Sequence, residues 1–348
     1  MHMLTKKSFM CLIAGLMVFA LLGIQNSSAA SGTIVLRYGT TYPPDHIDSV
    51  VAKGWMAKIE QETKGRVKFE PYWSGTLIGS QAAMDIRKGV VDVGYISVFY
   101  EKAGFTLHSF LTRIFQKYDC PQDYERVYWG LWDKFPELRK EFDGLKILAL
   151  YAGGPHRLMS LVPLKSLEDL KGMKIRTDPQ SFAVWKELGA DVVNVPMTEA
   201  YESLQKGIVK AILSPHEAYK TWRFAEFVKY EYPNMIVSRG VQPSLAMNMN
   251  TWNKLPPDIQ KIFDANRHYY FLKKIETEKA RHDEGLKLAE SYKVIRNPMP
   301  QSEVNKFNDV YERQLLKVAS EMDAKGLPAT AIYKETQKLL QKGCRVVK

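Results

Sequence analysis

The chain has 348 residues, of which 45% are hydrophobic and 25% are charged, and its formal net charge is +11. After removal of the export signal predicted over residues 1–30, the length exceeds that of a single ordinary core and favours two lobes. The lysines and arginines are scattered among acidic residues without a dense basic run, which predicts attraction of small anions rather than of nucleic acid.

Residues 1–30 have the pattern of a cleaved export signal. Two lysines precede an apolar run over residues 9–22. As a helix this run rises about 21 Å, short of the roughly 30 Å hydrocarbon core that a membrane anchor, the alternative, must span. Small residues at 28–30 predict cleavage before Ser31. We therefore expect export to the periplasm, with no stable membrane insertion of the mature chain.

Cysteine usage indicates little. The mature chain keeps only Cys120 and Cys344, which either pair in an oxidising compartment or remain separate thiols, and the sequence leaves both possibilities open. Neither CxxC, HExxH nor a clustered His/Cys spacing occurs in the sequence. We therefore predict no metal site and no cofactor.

The first half of the mature chain alternates strand and helix patterns. The predicted elements are a strand over 34–38, a helix through 50–59, a strand over 67–72, a helix over 81–88 and a strand over 90–96. Gly65 is placed to end the first helix, since glycine readily adopts the left-handed conformation of a helix cap. This βαβαβ order predicts a parallel sheet and the α/β class.

A second run of the same order begins near Gly153. Its predicted elements are a strand over 174–177, a helix over 181–188, a strand over 191–195, a helix over 198–206 and a strand over 211–213. An extended segment follows over 244–250, and from Pro256 the pattern is helical except near 294–298. We predict lobe I over 31–153 with part of 245–348, lobe II over 154–244, and a helical region over 245–348 that packs on both.

Motifs of catalysis are missing from the sequence. GxSxG, GxGxxG and Walker sequences do not occur, which favours a binding protein over an enzyme. Glu168 and Asp169 lie in a polar turn and are interpreted as capping groups. His108, His156 and His216 could face a cleft, but each taken singly is more simply a solvated or hydrogen-bonded histidine.

Polar and aromatic residues follow several predicted strands, where ligands bind in open α/β sheets. These candidates are Thr40, Thr41, Tyr42, Ser97, Phe99, Tyr100, His156, Arg157, Arg176 and Ser214. Arg176 ends a short strand, and its planar guanidinium matches a carboxylate. The alternative is that Arg176 forms a structural ion pair.

Several phrases in fixed order resemble a known family. They are Tyr38-Gly39-Thr40, residues 75–80, residues 89–94, Asp169 to Arg176 and residues 195–209. Together they are similar to the periplasmic solute-binding (DctP-type) subunit of TRAP transporters, tripartite ATP-independent systems driven by ion gradients. The resemblance covers roughly residues 34–340.

This resemblance implies a periplasmic solute-binding protein fold, with two α/β lobes, crossing strands and a long helix that close over a ligand. It implies an organic acid as the ligand, membrane permease subunits as partners, and Arg176 as the residue that pairs with the ligand carboxylate. A sensing system that uses the same fold is the alternative function. The ligand's identity and the oligomeric state stay open.

The sequence departs from the family's pattern at several positions. The position of a second arginine falls on His156, with Arg157 next, and either can serve. Met197 stands where an aromatic residue often packs on the ligand, and Ser214 stands where asparagine often contacts it. Together with Thr41 and Tyr100 after the earlier strands, these residues complete the predicted site, and the thioether favours an acid with an apolar body.

Overall fold

The computed structural model describes residues 32–98, 104–116, 118, 120–193, 195, 197–237 and 239–342. The predicted export signal (1–30), Tyr100 and Cys344 lie outside these residues. Cys120 is disulfide-bonded. In the described part of the chain, no helix is long and apolar enough to cross a membrane.

The strands form two sheets. They are β1 (Ile34–Gly39), β2 (Val67–Tyr72), β3 (Val93–Tyr95), β4 (Leu145–Ala152), β5 (His156–Ser160), β6 (Lys174–Arg176), β7 (Asp191–Val193), β8 (Ala211–Ser214), β9 (Tyr230–Val237), β10 (Val241–Asn248) and β11 (Ile295–Arg296). The first sheet has the order β2-β1-β3-β10-β4 and the second has the order β11-β9-β5-β8-β6-β7. The chain therefore crosses between the sheets after β4, returns at β10 and crosses again before β11.

Helices cover both sheets. They are α1 (Ile47–Glu62), α2 (Ala82–Arg87), α3 (Thr106–Leu111), α4 (Pro121–Lys134), α5 (Pro136–Lys140), α6 (Phe182–Glu187), α7 (Met197–Gln205), α8 (Ala218–Thr221), α9 (Met249–Lys254), α10 (Pro257–Ala265), α11 (Arg267–Ser291), α12 (Gln301–Asp323) and α13 (Ala329–Leu340). The predicted α/β class is confirmed, and Asn266 divides the predicted helix after Pro256 into α10 and α11.

The parallel order predicted from the βαβ pattern holds in part of each sheet. Strand β1 pairs in parallel with β2 and β3, and β6 pairs in parallel with β7 and β8. By contrast, β10 runs antiparallel to β3 and β4, and β5 runs antiparallel to β8 and β9. These antiparallel strands lie where the chain passes from one sheet to the other.

Each sheet is buried on both faces, as alternation along its strands shows. In β4, Leu145 and Ile147 belong to one hydrophobic cluster and the next residue, Leu148, belongs to another. In β5, Leu158 and Met159 likewise belong to two different clusters. Because successive strand residues point to opposite faces, each sheet is the middle of a three-layer unit.

The segment before Arg176 is fixed by local hydrogen bonds. Ser166 and Asp169 form a capping box around the short 3₁₀ helix Leu167–Leu170, which confirms Asp169 as a capping group. Gly172 then adopts a φ of 70°, a left-handed conformation that glycine tolerates without a steric penalty. The fully buried Ile175 anchors β6, so Arg176 is held at the strand's carboxyl end.

Helix α11 joins the two units. Near its start, Tyr270 and Phe271 are buried in the clusters of the first sheet, and near its end Ala289 is buried in a cluster of the second. A Cβ atom added at Gly285 would lie 2.0 Å from the backbone oxygen of His216. Glycine is therefore what permits the helix to approach the loop after β8 closely.

Candidate ligand-binding site

A cavity of about 590 Å³ lies between the two sheets. Its walls come from the ends of β3, β4, β6 and β8, the start of β5, the start of α1 and the middle of α11. Seven of the predicted site residues line it, namely Tyr42, Ser97, His156, Arg157, Arg176, Met197 and Ser214. The fold therefore brings together residues that are far apart in the sequence.

Three arginines line this cavity. Arg157 begins β5, is 9% exposed, and donates from Nη1 to the carbonyl oxygen of Pro155 at 3.1 Å. Arg176 ends β6 and donates from Nε to the carbonyl oxygen of Val195 at 3.1 Å. Arg239 lies between β9 and β10. The backbone bonds fix the direction of two of the guanidinium groups.

Sequence reasoning missed Arg239. Its only signal was its position between two extended segments that belong to different sheets. That position becomes informative once the sheet order places β9 in the second sheet and β10 in the first.

The pKa of His156 reflects the positive electrostatic potential near these arginines. Burial lowers the pKa of its imidazole well below the usual value, and the positive charges of Arg239, Arg176 and Arg157 lower it further. The ring is therefore neutral at pH 7. A neutral histidine among three guanidinium groups marks this end of the cavity as a region that favours negative charge.

Ser214 and Met197 complete this wall. The Ser214 side chain is fully buried, and its Oγ has no hydrogen-bond partner among the described residues. Such a buried hydroxyl is an available donor or acceptor for a bound molecule. Met197 is half-buried at the start of α7 and adds an apolar surface.

A second charged cluster forms the wall of the cavity that α11 and α1 contribute. Lys274 of α11 is 1% exposed, and its Nζ lies 2.7 Å from Asp48 Oδ1 and 3.2 Å from Glu278 Oε1. Burial lowers the pKa of Lys274, but the two carboxylates outweigh it and raise that pKa above its usual value. Glu278 also accepts a hydrogen bond of 3.0 Å from the Gly154 amide. This ion cluster therefore ties the long helix to α1 and to the crossing after β4.

Aromatic side chains line the same wall. The rings of Tyr42 and His46 stack with centroids 3.9 Å apart, and Tyr95 contacts Tyr42 edge-on at 5.1 Å. Tyr151 lies under the Lys274 ammonium, and the distance from Lys274 Nζ to the centroid of the Tyr151 ring is 4.7 Å. These rings give the cavity a flat, partly apolar surface.

A buried hydrogen-bond chain reaches the cavity through two histidines. Glu231 Oε1 accepts from His216 Nε2 at 2.8 Å and from Arg296 Nε at 3.2 Å, and Oε2 accepts from the Tyr219 hydroxyl at 2.8 Å. His216 Nδ1 lies 3.1 Å from the ring nitrogens of His282 on α11. Both histidines line the cavity.

Some predicted placements differ from the structure. Thr41 is exposed and does not line the cavity, because the alternation after β1 buries Thr40 and turns Tyr42 inward instead. His156 and Arg157 begin β5 and do not lie in the preceding loop. His108 is buried away from the cavity, with Glu141 at 2.7 Å and Tyr128 at 3.0 Å, so it is one of the hydrogen-bonded histidines.

Two α/β units around a cation-lined cavity define a ligand-binding protein of the two-lobed type. Residues 38–321 match the family described as bacterial extracellular solute-binding protein, family 7 (DctP). The chain belongs to this family, which confirms the resemblance drawn from the sequence.

Known proteins of this type are similar along much of the chain. The monocarboxylate 2-oxoacid-binding periplasmic protein of Nostoc sp. is 27% identical over 247 residues, which are 68% of this chain and 66% of that relative. A TRAP periplasmic solute-binding protein from Desulfovibrio salexigens is 27% identical, with a TM-score of 0.78 over 90% of this chain and 97% of that one. Its structure is an open complex with the C-terminus of a symmetry mate in the ligand-binding site.

A TRAP solute-binding protein from Rhodoferax ferrireducens has the same fold. Its TM-score is 0.76 at 23% identity, with coverage of 89% of this chain and 98% of that one. That protein was crystallised with copurified benzoate.

Proposed function

We propose that this protein captures an organic acid in the cavity between its sheets and delivers it to the membrane permease of a TRAP-type transporter. The observation that carries the proposal is that Arg157, Arg176 and Arg239 all line one cavity. Burial, and then the charges of these arginines, lower the pKa of His156 beside them. In this proposal Arg176, which lines the cavity, pairs with the ligand carboxylate. Such a pair is charge-assisted and can be bidentate, so it gives both affinity and orientation.

The other cavity residues have supporting roles in this proposal. Arg157 provides a second positive charge, and the neutral His156 provides a hydrogen-bonding ring beside it. The Ser214 hydroxyl contacts a polar group of the ligand, while Met197 packs against its body. Relatives that bind a 2-oxoacid or benzoate support an acid as the ligand class.

The proposed cellular setting is supported by the family and by the export signal predicted over residues 1–30. An export signal and a family of extracellular solute-binding proteins support a periplasmic location. Delivery to a permease requires that the loaded protein present a surface that the empty one lacks, and a ligand that binds both lobes shifts the population toward such a closed form.

The test is thermal unfolding of the mature chain with a panel of monocarboxylates, dicarboxylates, keto acids, aromatic acids and sugar acids. A bound acid at 100 times its Kd adds about 2.7 kcal/mol to the stability. The Arg176→Ala variant is expected to lose this gain. Lys174→Ala, an exposed lysine on the same strand, is the matched control and is expected to retain it. A gain that survives Arg176→Ala, or no gain with any acid, would contradict the proposal.

A further inference from the structure

In the hydrogen bonds that link Glu231, His216 and His282, the atom that carries each proton can be assigned. Burial opposes the ionisation of Glu231, but bonds from His216 and Tyr219 and the charge of Arg296 outweigh it and lower its pKa to about 2. An ionised carboxylate can only accept hydrogen bonds. The Nε2 atom of His216, 2.8 Å from Glu231 Oε1, must therefore carry a proton.

The same reasoning assigns the proton in the hydrogen bond between His216 and His282. Burial lowers the pKa of His216, so its ring is neutral and its Nδ1 carries a lone pair. Both ring nitrogens of His282 lie 3.1 Å from His216 Nδ1, and one of the two must then be the donor. Burial and the charges of His216 and Arg157 lower the pKa of His282 to about 4, so this ring is neutral as well. Whichever nitrogen of His282 donates, the other is left as an acceptor.

The position of His282 makes this acceptor relevant to a ligand. His282 lines the cavity from α11, and Arg157 lines it from β5. The positive charge of Arg157 acts on His156, on His216 and on His282. Arg157 is therefore close both to His156 and to the two histidines that are hydrogen-bonded to each other, His216 and His282.

We propose that His282, oriented by the Glu231–His216 pair, accepts a hydrogen bond from a hydroxyl group next to the ligand carboxylate. The protein then prefers a 2-hydroxy acid to the matching 2-oxo acid. This inference rests on the proposed function, since it assumes that the arginines hold the carboxylate. A hydroxyl donates to the free nitrogen, whereas a keto oxygen has only lone pairs to offer to another lone pair.

The experiment is isothermal titration of the mature protein with three matched sets of acids. The sets are lactate, pyruvate and propionate; mandelate, phenylglyoxylate and phenylacetate; and 2-hydroxyglutarate, 2-oxoglutarate and glutarate. In the set that binds, the hydroxy acid is expected to bind about tenfold more tightly than the oxo acid, the effect of one neutral hydrogen bond.

The variant His282→Phe is expected to reduce this preference to near unity while the unsubstituted acid still binds. His268→Phe makes the same change on the same helix at an exposed histidine that pairs with Glu125, and it is expected to preserve the preference. A second readout does not depend on folding energy. In ¹⁵N spectra of the histidine rings, the hydroxy acid should shift the unprotonated nitrogen of His282.

The outcomes separate the inference from the proposed function. Acid binding that requires Arg176 but shows no hydroxy preference, or a preference that survives His282→Phe, overturns the inference alone. An unmoved His282 nitrogen signal in the presence of bound hydroxy acid does the same. Absence of binding by all nine acids overturns this inference, while the proposed function falls only if no acid of the wider thermal panel binds. Binding that survives Arg176→Ala overturns both.

Discussion

The cavity has two charged walls that differ in what their cations contact. On one wall, Lys274 is buried with Asp48 and Glu278 within 3.2 Å. On the other, Arg157 and Arg176 donate to backbone carbonyls, which fix their direction but carry no full charge. A buried cation between two carboxylates stabilises the fold, whereas three guanidinium groups that line one cavity attract an anionic ligand.

The largest expected effect is the loss of stability when Lys274 is removed from its cluster with Asp48 and Glu278. Lys274→Met should destabilise the protein by about 3–5 kcal/mol, because it leaves Asp48 buried without its cation. The measurement is urea unfolding of the unliganded protein. Lys273→Met, which removes an exposed pair with Glu276 on the same helix, should cost less than about 1 kcal/mol. Equal losses in both variants would mean that the buried cluster does not hold the units together.

The next largest expected effect is the loss of affinity for the acid when Arg176 is replaced by lysine. Arg176→Lys keeps the positive charge but removes the planar fork, so the acid identified by thermal unfolding should bind about 1.5–3 kcal/mol more weakly. Isothermal titration gives this difference directly. The stability of the unliganded protein should be nearly unchanged. Unchanged affinity would show that charge alone, without bidentate geometry, accounts for binding.

A smaller effect concerns the helix that connects the walls. Gly285→Ala should destabilise the protein by about 1–3 kcal/mol, since the new Cβ would lie 2.0 Å from the His216 oxygen and force α11 to move. Gly54→Ala is the control on α1, where nothing lies within 4 Å, and alanine should be neutral or slightly stabilising there. A stable Gly285→Ala protein would mean that the contact between α11 and the second unit is loose.

The smallest effect is on pH dependence. The pKa of His282 is lowered from 6.5 to about 4 in the folded protein, so the unfolded chain takes up protons first as the pH falls from 6.5 toward 4. Stability is therefore present above that range and lost within it. Because the ring is only half-buried, its share should be roughly 1 kcal/mol or less. In urea unfolding between pH 7 and 4, His282→Phe should show a shallower loss than His268→Phe does.

Much of the fold follows from local pattern. The strands at β1 and β2, the end of α1 just before Gly65, the Ser166–Asp169 capping box and Arg176 at the end of β6 all depend on neighbouring residues. The helix cap itself is Thr63, two residues before the predicted position. Periodicity and turn chemistry therefore predict them. The antiparallel course of β5 and β10 does not follow in this way, because it is decided by pairing with distant strands.

The residues of the candidate site also fall into those that the sequence could predict and those that it could not. Arg176 could be predicted because it ends a strand that the sequence itself defines. Arg239 and Lys274 could not, since each becomes a cavity residue only when a crossing segment or a long helix is brought between the sheets. Thr41 was misplaced because a one-residue difference in an extended segment turns a side chain to the opposite face.

The most direct test of the difference between the walls is the thermal stability of the wild type, Arg176→Ala and Lys274→Met, each with and without the bound acid. Arg176→Ala should unfold at the wild-type temperature without acid and gain nothing from acid. Lys274→Met should unfold at a lower temperature and still gain stability when acid is added. If Arg176→Ala gains as much from acid as the wild type does, the assignment of the arginine wall to ligand binding is wrong.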